Sequence, residues 1–118
     1  GIYGPNRMRF KESILSQQTG LLEKNFYTNR IHLDDCVGAL IHLMKHGKSG
    51  EIYIASDCKP AEHNEVVKWL CEKYGIVPMH TPNTFPAMHR SNKRCSNKKL
   101  LSTGYKFLHP NFKSGYAC

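Results

Sequence analysis

The sequence predicts an α/β fold, and three observations predict it. Short runs of β-branched and aromatic residues alternate with longer segments whose apolar residues recur every three to four positions. The two clearest of those longer segments run up to Gly47 and Gly75, and glycine is a natural helix stop. The 118 residues are 40% hydrophobic, the share of an ordinary globular domain, so a single domain over 1–118 is expected.

Ile2 and Tyr3 read as the end of a buried strand, stopped by Gly4-Pro5. A strand at the first residue has no preceding turn, so the opening reads as the interior of a longer protein. Residues 8–22 are a helix candidate, with Phe10, Ile14 and Leu15 as a partial stripe and Gly20 at its end. Residues 26–32 read as a short strand or an extended loop. Residues 34–46 give the clearest helix: Leu33, Cys36, Val37, Leu40, Ile41 and Met44 draw one apolar face. Asp34 and Asp35 occupy its positive end as N-capping groups, and Lys45, His46 and Gly47 close the other end. Gly38 inside it costs roughly 1 kcal/mol against alanine and implies close approach of another backbone.

Residues 51–56 read as a buried strand, and residues 62–74 as a helix burying Val66, Val67, Leu70, Cys71 and Tyr74. Residues 77–91, with Pro78, Pro82 and Pro86, read as a long loop. One helical turn is expected near 97–102, a short strand over 103–107 and a last partial helix over 110–116.

The net charge of +8 is uneven. Residues 1–75 hold ten Lys/Arg against nine Asp/Glu, whereas residues 76–118 hold seven Lys/Arg and no acid. A basic third of this kind meets nucleic acid, a phosphorylated small molecule, an acidic partner surface or only solvent. The five cysteines, at 36, 58, 71, 95 and 118, include no C-x-x-C pair, which gives neither a disulfide framework nor a zinc knuckle. No apolar run approaches the roughly 20 residues that span a bilayer, and no signal peptide is visible. A cytoplasmic protein with reduced thiols is expected.

Four segments carry a resemblance. They are Gly1-Ile2-Tyr3-Gly4-Pro5, Arg30-Ile31-His32-Leu33-Asp34-Asp35, Gly50-Glu51-Ile52-Tyr53-Ile54-Ala55, and Lys93-Arg94 with Ser96 to Leu100 before Gly104-Tyr105-Lys106-Phe107. Their order and spacing resemble the C-terminal part of an extended short-chain dehydrogenase/reductase, the NAD-dependent epimerase/dehydratase family, and within it sugar-nucleotide-epimerase-like members. The resemblance implies a Rossmann-like NAD(P)-binding α/β fold, with NAD or NADP as cofactor and a small, sugar-nucleotide type of substrate in the parent protein. The family's Gly-x-x-Gly-x-x-Gly loop, which brings backbone to the pyrophosphate, is missing from this sequence. Its Tyr-x-x-x-Lys pair is missing too: the residues four positions after Tyr3, Tyr27, Tyr53, Tyr74 and Tyr105 are Arg7, Ile31, Asp57, Pro78 and His109. The expectation is therefore the substrate-binding portion of such an oxidoreductase, with no catalytic residue of its own, inactive and without bound cofactor as an isolated chain.

The resemblance places Tyr3 and Pro5 at the cofactor side of the cleft and Arg30 at the substrate diphosphate, which suits a bidentate guanidinium. Arg94, with Arg90 and Lys93, is a candidate for a substrate phosphate. Asp34 and Asp35 could form an acid/base carboxylate pair, which N-capping explains more simply. His32, His42 and His46 lie close in sequence, and dipole and solvent roles outweigh a metal there, so no metal ligand is assigned. The alternative is a small basic nucleic-acid-binding or dimerising module, with Tyr105, Phe107, Phe112 and Tyr116 as stacking groups. No helix-turn-helix, RRM or zinc-finger pattern supports nucleic acid. Uncovered strands near 1–3 and 51–55 predict self-association.

Overall fold

The structure, a computed structural model, describes residues 1–81 and 92–117. Pro82, Pro86 and Arg90 lie outside the described residues. The chain divides into two compact units, one of residues 1–7, 29–60 and 94–118, the other of residues 8–28 and 61–93.

In the first unit, β1 (Ile2–Tyr3) pairs in parallel with β4 (Ile31–His32), with Ile2 opposite Ile31 and Tyr3 opposite His32. A parallel pair needs a crossover connection, which is the α/β signature expected from the sequence. Gly4 to Arg7 forms a tight turn closed by Arg7 N–H to Gly4 O at 2.8 Å. Pro5 leads it, and Asn6 holds a positive φ of 65°, the residue chemistry of a type II turn. Helix α2 (Leu33–His46) starts directly from β4. The unit is completed by α4 (Lys98–Ser102) and α5 (Phe112–Ala117), close to the short helices expected there.

Helix α2 departs from the expected packing. Its sequence stripe is bare: Val37, Leu40, Ile41 and Met44 are exposed, Leu40 by 62% and Met44 by 86%. The buried face instead carries Asp35 and Ala39. Gly38 admits a side chain and not a backbone, since a Cβ there would stand 2.6 Å from the Tyr105 hydroxyl. The cap is His32, whose Nδ1 accepts the Asp34 N–H at 3.1 Å, so neither aspartate is the N-cap. Residues 51–56 form no ladder, and Ile52 is 81% exposed. Among the described residues, the strands expected over 51–56 and 103–107 find no partner, and Thr103-Gly104 instead forms a turn after α4.

In the second unit, α1 (Arg9–Leu15) is shorter than the 8–22 candidate. Strand β2 (Leu21–Leu22) pairs in parallel with β6 (His80–Thr81), which places a strand inside the expected loop. Strand β3 (Tyr27–Thr28) pairs antiparallel with β5 (Ala61–Glu62), which leads into α3 (His63–Tyr74). Val66, Val67, Leu70 and Cys71 of α3 are buried as the stripe predicts, with Tyr74 left exposed. Asn64 stitches helix to strand, accepting from Leu22 N–H and donating to Leu22 O, both at 2.9 Å. Gly75 stops α3 in the left-handed region at φ 67°, where glycine costs least.

Candidate functional site

The first unit buries polar groups where an ordinary core buries apolar ones. Tyr3, His32, Ser56 and Asp57 are all buried, and Tyr3 Oη, His32 Nε2, Ser56 Oγ and Asp57 Oδ2 find no hydrogen-bond partner among the described residues. A buried polar atom left unpaired costs free energy, and such atoms gather where function requires them.

The β1–β4 register creates the cluster. Tyr3 and His32 are cross-strand neighbours whose rings meet edge to face at 5.3 Å. Tyr3 also packs on Tyr116 of α5, with ring centroids 4.5 Å apart. A Cβ on Gly115 would overlap the Tyr3 hydroxyl, so glycine there is what admits the tyrosine. Arg30, one residue before β4, lays its guanidinium 5.7 Å from the Phe112 ring centroid. Its carbonyl accepts the Asp57 N–H at 2.7 Å, which fixes Asp57 beside the strand. Cys58 N–H to Pro110 O (2.9 Å) and Asn97 Nδ2 to Ser56 O (2.9 Å) hold the flanking residues.

Asp57 is the chemically distinctive member. One oxygen accepts the Lys59 N–H at 3.0 Å and the other has no partner among the described residues. Burial raises its pKa from 3.8 to about 6; the Lys59 hydrogen bond and the Arg30 charge pull the other way without cancelling it. A carboxyl that titrates near neutrality can hold or release a proton at Oδ2. Burial and the Asp57 charge push the Tyr3 hydroxyl well above its ordinary range, so Tyr3 stays neutral and acts as a hydrogen-bonding group.

Of the residues singled out in the sequence, Tyr3 and Arg30 belong to this cluster, since both act electrostatically on Asp57 or are acted on by it. Pro5 is exposed in its turn, and Arg94 is exposed. The residue after Arg94 is tied to the neighbour of Arg30, through Cys95 N–H to Asn29 Oδ1 at 2.8 Å. Asp34 and Asp35 do not form a carboxylate pair. Asp34 is open to solvent, while the fully buried Asp35 accepts from Tyr105 Oη (2.7 Å), Leu108 N–H (2.8 Å) and His109 N–H (2.8 Å). His42 and His46 stack on one another at 4.5 Å, with His42 Nε2 held 3.0 Å from Thr103 O. Asp57 itself was missed; its one sequence signal is a carboxylate placed one serine beyond the apolar run Ile52 to Ala55.

Comparison with known structures gives the fold its context. One match is a protein provisionally described as an NAD-dependent epimerase/dehydratase from Methylobacillus flagellatus. It is 26% identical, with a TM-score of 0.73 over 99% of this chain and 42% of that one. The fold is that of part of an NAD-dependent epimerase/dehydratase. A functionally unknown conserved protein from Silicibacter pomeroyi is 25% identical, with a TM-score of 0.81 over 99% of this chain and 45% of that one. RMD from Pseudomonas aeruginosa, solved with NADPH, shares the fold at 15% identity and a TM-score of 0.69, over 98% of this chain and 42% of that one. The chain thus spans less than half the length of each. No family model matches it, and no curated protein sequence does.

Among the epimerase/dehydratase features, a dinucleotide cradle does not fit the residues present. The Gly4 N–H is directed at Arg7 O at 3.3 Å within its own turn, and no Gly-rich loop leads a helix.

Proposed function

We propose that this chain is the substrate-side portion of an NAD(P)-dependent oxidoreductase of epimerase/dehydratase type, inactive by itself. The observation that carries the reading is the match of 99% of the chain to 42% of the epimerase/dehydratase-described protein and to 45% of the functionally unknown conserved protein. The missing Gly-rich loop and Tyr-x-x-x-Lys pair support the same reading, because the first binds the dinucleotide and the second moves the proton. Arg30 meets the diphosphate of a sugar-nucleotide type of substrate, and Tyr3 and Pro5 stand on the nicotinamide side. Asp57 is placed to hold a proton beside that substrate. The parent works in the cytoplasm and the isolated chain self-associates. Of the four aromatic groups named for the nucleic-acid alternative, Phe112 and Tyr116 are buried, and Tyr105 and Phe107 are half-buried.

The test is a titration of NADH and NADPH into the 118-residue chain, and into the polypeptide encoded when the reading frame is extended upstream of Gly1. Saturable binding is expected only with the longer product. Dinucleotide binding by the short chain, or an upstream frame lacking both motifs, overturns the reading.

A further inference from the structure

A second group of side chains lies at the start of α2 and shares His32 with the buried cluster. One donor atom each from His32, Asp34 and His109 lies within 4.8 Å of the other two. His32 Nδ1 is 3.7 Å from Asp34 Oδ2, and His109 Nε2 is 3.9 Å from the same oxygen. The two imidazole rings stack with centroids 4.0 Å apart. We propose that His32, Asp34 and His109 form a binding site for a divalent transition cation of the zinc class.

The chemistry of the three donors fits. Two imidazoles and one carboxylate make a three-ligand set that leaves the fourth tetrahedral position to water. Bonds of about 2.0–2.1 Å at a tetrahedral angle set donors about 3.3 Å apart. The two separations to Asp34 Oδ2 exceed that by roughly half an ångström, which movement of an exposed aspartate side chain can close, and the two histidine donors lie within 4.8 Å of each other. The nitrogens are presented correctly. His32 Nδ1 accepts the Asp34 N–H at 3.1 Å, so it carries a lone pair and not a proton. His109 Nδ1 is 3.1 Å from Ser114 Oγ, which orients the ring and leaves Nε2 for the ion.

Two forces oppose the ion and neither decides. The positive end of α2 disfavours a cation, and Asp34 with Asp35 in the first turn offsets it. The His32 lone pair must exchange one amide N–H for the metal. That N–H stands in a helix first turn beside an exposed carboxylate, where water can replace the lost acceptor.

The site was not visible as a trio in the sequence. His32, His42 and His46 are the neighbours by number, whereas the structure brings His32 to His109 across 77 positions, the difference of the two residue numbers.

The experiment titrates ZnCl2 into the full chain by calorimetry, and CoCl2 as a visible-absorbance probe. Expected are a 1:1 tight phase and a Co2+ d–d band of tetrahedral type. His109→Gln and Asp34→Asn should each weaken the tight phase at least tenfold, with His46→Gln leaving it unchanged. Imidazole NMR of the unmutated chain during the titration keeps the test decisive if a variant unfolds: the resonances of His32 and His109 should shift first. Absence of a 1:1 phase, a first shift at His42 and His46, or an unchanged affinity in folded His109→Gln overturns the site.

Discussion

The two compact units solve the problem of an interior in opposite ways. The unit of residues 8–28 and 61–93 buries Ile14, Leu22, Val66, Val67, Leu70 and Cys71, a set chosen for volume. Its buried His63 is fully engaged, with Nε2 3.0 Å from Gly20 O and its ring stacked on Phe26 at 5.2 Å. The unit of residues 1–7, 29–60 and 94–118 buries Asp35, Asp57, His32, Ser56 and Asn97, and leaves the apolar face of α2 open. The first unit therefore adds buried polar groups to an apolar interior of Ile31, Ala39, Leu100, Phe112 and Tyr116, whereas the second rests on apolar packing. That is the division expected when one region serves a site and the other serves stability.

Removing one group from each kind of interior should break them differently. Asp35→Ala is the largest expected effect. It strands the Tyr105 hydroxyl and the Leu108 and His109 amides, and should cost about 3–5 kcal/mol in urea denaturation. Asp35→Asn keeps one acceptor oxygen and should recover part of that loss. If Asp35→Ala costs under about 1 kcal/mol, the polar interior is not what holds this unit. Leu70→Ala in the other unit removes volume alone and should cost about 3 kcal/mol, independent of pH.

Asp57 sharpens the contrast, because it makes the stability of one unit depend on pH. Its pKa is raised from 3.8 to about 6 in the fold, so the folded chain holds the proton more tightly. The stabilisation is complete below pH 3.8 and is lost as pH rises through about 6. Asp57→Asn should therefore leave stability unchanged at pH 3.5 and raise it by up to about 3 kcal/mol at pH 8. His32, whose pKa burial lowers, acts in the reverse sense: its share is lost as pH falls below its ordinary value, so the measurement needs a His32→Gln reference. A flat difference between wild type and Asp57→Asn across pH 4–8 would sink the role given to this carboxyl.

What was legible in the sequence follows the same division. Helix α3 was readable because its stripe, Val66 to Cys71, is the face that the fold buries. Helix α2 was readable as a helix from its period, yet its buried face was misread. Hydrophobic periodicity reports which face wants burial, and here the contacts fall on Asp35, Gly38 and Ala39. Residues 51–56 have strand chemistry without a partner to complete a ladder, and local propensity cannot supply one. At the site, Tyr3 and Arg30 were found through motifs that are contiguous in the chain. Asp57 and His109 were not, because their roles arise from contacts across 27 and 77 positions, the separations from Arg30 and His32.

The open face of α2 gives the smallest expected effect on stability and the clearest one on assembly. Val37, Leu40, Ile41 and Met44 form a contiguous helical face because they sit three and four residues apart. A face of this kind, left uncovered by the described residues, favours association. Leu40→Ser with Met44→Ser should change the unfolding free energy by no more than about 0.5 kcal/mol, since neither side chain is buried. The same pair should shift the chain from dimer or larger toward monomer in sedimentation velocity. The two readouts separate the possibilities: lost stability would mean that the face packs within the chain, whereas a wild-type monomer at high concentration would mean that it needs no cover. Only lost association at unchanged stability fits a helix whose apolar stripe is reserved for a neighbour. In α3 the corresponding stripe is already spent on its own unit, and polar substitution at Val67 there should destabilise the chain outright.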